Sequence, residues 1–165
     1  MRKLMVSALF GAALAIPALA SEPTALEVAD LEVVVGAEWT GSLTYLNYQE
    51  PFIDFTIPAT LAVTATEAGL KLAYTYPEEP HANSTVQAEI SANGTKLMGE
   101  PIVSNTELES GGREIQTRFA CEDMGRSAVC EMTYSLAPLE LRITKMVTYD
   151  GETEAFRRNA YVFTR

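Results

Sequence analysis

Gly36-Ala-Glu-Trp39-Thr-Gly41-Ser-Leu43-Thr-Tyr45-Leu-Asn-Tyr48 holds the only tryptophan of the chain and sets the reading of everything after it. Trp39, Gly41, Leu43 and Tyr45 share one parity, and Thr40, Ser42 and Thr44 the other. A two-residue period in a run rich in Thr and Tyr predicts a half-buried strand, one face dry and one wet. The same alternation returns along most of the chain. Phe55, Ile57, Ala59, Leu61, Val63 and Ala65 alternate with Asp54, Thr56, Thr60 and Thr64, and Pro58 on the outward parity marks an edge or a bulge. Leu70, Leu72, Tyr74 and Tyr76 follow the turn at Glu67-Ala-Gly69.

Past the loop at residues 77–84, Val86, Ala88 and Ile90 predict a shorter strand, ended by the hairpin signal Asn93-Gly94. Residues 96–104 return, and Gly111-Gly112 turns the chain into a hairpin that contains both cysteines. Leu139, Leu141, Ile143, Val147 and Tyr149 precede the turn Asp150-Gly151, and a last strand covers about residues 154–164. Short strands separated by turn signals, with no long crossover, predict an all-β fold. The expected form is an antiparallel up-and-down meander barrel of about 8–10 strands. Residues 21–36 fit a short N-terminal helix or an extra strand.

Residues 1–20 read as a signal peptide: Arg2 and Lys3, an apolar stretch from Leu4 to Ile16, then Ala18-Leu-Ala20 before Ser21. The remainder, 21–165, is the size of a single domain with a sizeable core. The leader predicts a periplasmic or secreted protein of bacterial type, and no other apolar run nears the roughly 18 residues of a membrane span. The chain has 12 basic and 22 acidic residues; losing Arg2 and Lys3 leaves ten against 22, a balance of −12. Such a surface argues against a nucleic-acid partner, whose phosphates demand positive charge.

In an oxidising compartment Cys121 and Cys130 are expected to form a disulfide. Placing Gly125-Arg126 at the centre of a type II′ turn sets Cys121 directly opposite Cys130, with Cα atoms ~4.5 Å apart. That register puts Ile115, Thr117 and Phe119 on the cysteines' face, opposite Leu136, Tyr134 and Met132.

Catalytic and metal templates fail on composition. One histidine, His81, sits in a charged loop, with no GxSxG sequence and no phosphate-cradling glycine loop. No catalytic residue, metal ligand or cofactor is expected. Glu78-Glu79 and Glu122-Asp123 read as solvated turns. The inward face is more informative, because buried phenols need hydrogen-bond partners and a small barrel either fills or leaves room for one small ligand. Tyr45, Tyr74, Tyr76, Phe119 and Tyr134 are the candidate lining residues. Lys145, on the apolar parity between Ile143 and Val147, is a candidate for the rim or for a ligand head group.

On Gly36-x-x-Trp39, the continuous meander and the arginines of the last strand, the chain resembles the calycin, or lipocalin-like, superfamily. The resemblance implies that an Arg from the last strand covers the tryptophan of the first, which casts Arg157 or Arg158 over Trp39. It also implies a small apolar or amphipathic ligand. The leading expectation is a non-enzymatic exported barrel binding a small lipophilic or aromatic molecule in its interior. The alternative is a solid-core structural or protein-interaction module, favoured by a void below ~300 Å³. An enzyme using an inward tyrosine with Lys145 is a third class.

Overall fold

The structure, a computed structural model, describes residues 24–36 and 38–165. The expected signal segment, residues 1–20, lies outside them. Ten strands follow a 3-10 helix at Val28–Val34: β1 Glu38–Leu46, β2 Asp54–Thr66, β3 Gly69–Thr75, β4 Ser84–Glu89, β5 Lys96–Leu97, β6 Glu100–Glu107, β7 Arg113–Asp123, β8 Arg126–Leu136, β9 Glu140–Tyr149 and β10 Phe156–Thr164. Every ladder is antiparallel, and the order is β4-β3-β2-β1-β10-β9-β8-β7-β6-β5. The first strand pairs with the last, with Gly41 opposite Phe163 and Tyr45 opposite Asn159.

The two ends of this sheet meet where Ile90 bridges Leu97 and the Met98 N–H donates to the Glu89 carbonyl at 2.8 Å. The result is a nearly closed meander barrel with a gap between β4 and the upper part of β6. Successive strands are joined by connections of two to eight residues, so no crossover is needed. Pro58 lies where β2 has run past the end of its β3 ladder, which stops at Thr60 opposite Thr75. A residue without an N–H is harmless at such a free edge.

The dry faces meet as the parity predicted except at the two ends of β2, where Phe55 and Ala65 are exposed. Trp39, Leu61, Ile115, Leu141 and Phe163 are fully buried in one core, together with Leu31 and Val34 of the 3-10 helix. Of the stretch left open between helix and strand, the described part holds one short 3-10 helix, Val28–Val34, which packs into one end of the barrel. The Trp39 indole N–H donates to the Val34 carbonyl at 3.0 Å, satisfying the one polar atom of that ring. At the same end the Leu26 N–H donates to the Gly94 carbonyl and the Asn105 side chain to Thr24, each at 2.9 Å.

The cysteine hairpin corrects the expected register. Asp123 pairs with Arg126, so the central turn residues are Met124 and Gly125, both with positive φ, 50° and 74°. That is a type I′ turn, whose twist matches the flanking strands. The pairing moves by two residues: Cys121 faces Ala128, and Cys130 faces Phe119. A shift of two leaves each residue on its expected face. The cysteines become diagonal neighbours with Cα atoms 5.8 Å apart, and they are disulfide-bonded.

Candidate functional site

Opposite the helical plug, the β1–β2, β7–β8 and β9–β10 connections surround the barrel's other end. Beneath them lies a second, smaller apolar cluster of Ala128, Cys130 and Val147, with Phe119, Cys121, Tyr149 and Phe156 packed against it. Above it opens a recess of about 400 Å³ lined by Leu46, Phe52, Met124, Phe156, Tyr149 and the two guanidinium groups of Arg126 and Arg158. Tyr48, Phe52, Ile53, Phe55 and Met124 are large apolar residues left about half exposed around this end. Isolated exposed apolar residues are ordinary; five around one opening form a patch.

Arg158 reaches the recess because of a β-bulge. The β10–β9 register slips between Arg157 and Asn159, and Arg158 is the extra residue. A bulge re-aims a side chain, and here it turns a guanidinium inward that strict alternation would have placed in water. Arg158 is 1% exposed. Its Nη2 donates to the Asp123 carboxylate, which also accepts from the Tyr149 hydroxyl at 2.8 Å. Its guanidinium carbon stands 4.7 Å from the Tyr48 ring centroid and 4.9 Å from that of Phe156. Burial, and then the bond to Asp123, raise the Tyr149 phenol above its ordinary pKa, so it stays protonated and donating. Asp123 is therefore no solvated turn residue: it continues the inward parity of Phe119 and Cys121 and is buried with its partner. Arg126, at the rim, lies over the Tyr149 ring at 3.6 Å and bonds Glu152.

The candidate residues read from the inward face are dispersed. Tyr74, Tyr134 and Lys145 share a second recess of about 180 Å³ walled by Met98 and by residues of β3, β4, β8, β9 and β10, with Met132 and Asn159 among them. Tyr76 is buried and its hydroxyl lies 2.7 Å from that of Tyr161. Tyr45 is half-buried against Phe55, ring centroids 6.1 Å apart, and Phe119 packs under the disulfide; neither lines a recess. Burial pushes the Tyr74 and Tyr161 phenols well above their usual range, and raises Tyr134 to about 12 with Glu100 adding to it. These rings act as neutral donors and acceptors, not as phenolate bases.

Neither Arg157 nor Arg158 covers Trp39. Arg157 pairs with Asp54 on the outside, Arg158 is committed to Asp123, and the cation over the indole is Arg165. The deep interior, between Leu31 and Tyr134, keeps a void of only about 20 Å³. The room for a ligand that the aromatic face suggested is therefore at the open end and in the smaller recess beside Tyr74, Tyr134 and Lys145, not beneath Leu31. Among the described residues no group of three or more His, Cys, Asp or Glu side chains could hold a metal ion.

The fold and this site define an antiparallel barrel plugged at one end, with an aromatic recess over a buried ion pair at the other. No family model, curated protein or solved structure matches the chain.

Proposed function

We propose that this chain is an exported, non-enzymatic barrel of calycin type that binds a small lipophilic or aromatic molecule at its open end. The observation that carries the reading is the recess of about 400 Å³, within the range of small-molecule sites and walled mainly by Leu46, Phe52, Met124, Tyr149 and Phe156. The disulfide suits an oxidising compartment, and among the described residues no helix is long and apolar enough to cross a membrane. The Trp39–Arg165 pair, first strand to last, supports the calycin comparison.

Titration of the mature chain with Nile red, a neutral lipophilic aromatic dye, tests this reading. Saturable binding that weakens by about tenfold in Phe52→Asp supports it, since a carboxylate forced onto an apolar contact loses more than a kilocalorie. Unsaturable binding, or the same affinity in Phe52→Asp, counts against it. The central void of about 20 Å³ favours a second reading, a solid-core module contacting another protein through its surface. Absence of any saturable small-molecule binding would point there.

A further inference from the structure

We infer that the ligand of the open end is an amphipathic carboxylate, with its chain against Leu46, Phe52 and Phe156 and its head group on Arg158. This rests on the binding reading above and adds the chemistry of the head group. Two donor nitrogens of Arg158, Nε and Nη1, have no hydrogen-bond partner among the described residues, although the side chain is almost wholly buried. Donors on a buried cation are costly to leave unmade. A role confined to holding Asp123 uses Nη2 alone. The remaining nitrogens are themselves covered, with Tyr48 over the guanidinium, but they belong to a residue that lines the recess, so an acceptor that enters it and displaces that ring is the group that would complete them.

Charge selects among acceptors. At the recess Arg158 is balanced by Asp123, and Arg126 by Glu152. Two neutral pairs tolerate one added negative charge better than the two of a phosphomonoester, and the mainly apolar walls raise the desolvation cost of a dianion further. Tyr48 lies over the guanidinium from the β1–β2 connection and is itself half exposed, so its ring can give way without disturbing the barrel core. The acidic surface of the chain opposes any anion at long range, but at physiological salt that field is screened within about 8 Å.

Calorimetric titration of the mature chain at neutral pH with decanoic acid, decanol and decyl phosphate tests the assignment. The acid should bind at least about tenfold more tightly than the alcohol, and no less tightly than the phosphate. In Arg158→Met/Asp123→Leu, which removes both charges together, the acid-to-alcohol preference should fall to about one. Near-native circular dichroism of that variant shows that the loss is not unfolding. Equal binding of acid and alcohol, tighter binding of the phosphate, or a preference that survives the double substitution overturns the carboxylate assignment and leaves the lipophilic recess standing. Failure of all three compounds to bind removes the recess reading itself.

Discussion

The guanidinium of Arg165 lies 4.5 Å from the centroid of the Trp39 ring, while its Nη2 donates to the Val33 carbonyl at 2.8 Å and its Nε to the Pro138 carbonyl at 2.6 Å. One side chain thus ties the last strand to the plug helix, to the β8–β9 turn and to the first strand's tryptophan. Cation–π contacts contribute about 0.5–2 kcal/mol, and charged hydrogen bonds to carbonyls a similar amount. Arg165→Ala should lower stability by about 1–3 kcal/mol in urea denaturation, and red-shift the emission of the single tryptophan. Arg165→Lys, with one point charge instead of a planar fork, should recover only part. An unchanged denaturation midpoint in Arg165→Ala would show the clasp to be ornamental.

Gly41 sits beside that clasp for a different reason. A Cβ built at this position would lie 1.9 Å from the Val162 carbonyl oxygen, which is backbone and cannot swing aside. The close approach of β10 to β1 therefore requires a residue with no side chain. Gly41→Ala should cost roughly 1–3 kcal/mol, like other overpacking in a filled core, by forcing the β1–β10 ladder apart. Thermal melting checks it, and a variant as stable as the parent would mean that the ladder is more pliant than its packing implies.

The Cys121–Cys130 bond closes a loop with a sequence separation of nine residues. In the chain-entropy account such a loop restrains the unfolded chain by about 2.5–3 kcal/mol. Reduction, or Cys121→Ser/Cys130→Ser, should lower the denaturation midpoint accordingly while the far-ultraviolet spectrum of the folded protein stays the same. A stability loss below about 1 kcal/mol would mean that the type I′ turn and the β7–β8 ladder already restrict this hairpin when unfolded.

The buried phenols give stability an alkaline limit. An unfolded tyrosine ionises near pH ~10, whereas burial holds Tyr134 to about 12 and Tyr74 and Tyr161 higher still. Above pH ~10 the unfolded chain releases protons that the folded chain keeps, so stability is intact below that value and is lost as pH rises toward 12. Phenolate absorbance and unfolding, followed together, should rise in one cooperative step for these residues. Phenolate formation with the fold intact would contradict their burial.

The meander, the inward faces and the disulfide partners were legible because a two-residue period survives errors of boundary and even a register slip of two. Trp39 fell on the dry face of β1 for this reason, and Ile115 and Tyr134 kept theirs although the hairpin pairing was displaced. The partner of Trp39 could not be read there, since it depends on the register of the first strand against the last. Pairing of the first strand with the last places Thr40 opposite Thr164, and extending that ladder by one step meets Arg165 rather than Arg157 or Arg158. The site at the open end was not legible, because it depends on a bulge. One inserted residue between Arg157 and Asn159 reverses which arginine faces in, and no residue type announces it. Only Asp123, a carboxylate continuing an apolar parity, hinted that a buried cation was waiting for it.

That Arg158–Asp123 pair yields the sharpest stability test, because its two members are each almost fully buried. Removing one partner strands the other charge in an apolar setting, a loss that commonly reaches about 3–5 kcal/mol. Arg158→Met and Asp123→Leu should therefore each destabilise strongly, and the Asp123 variant should also free the Tyr149 hydroxyl from its acceptor. Replacing both by apolar residues removes the stranded charge, so the double variant should be markedly more stable than the sum of the single losses implies. A double-mutant cycle in urea measures the difference directly. Strong coupling means that the bulge is held in place by the ion pair. Simple additivity would mean that Tyr48 and Phe156, stacked about the guanidinium, hold the arginine there without help from the carboxylate.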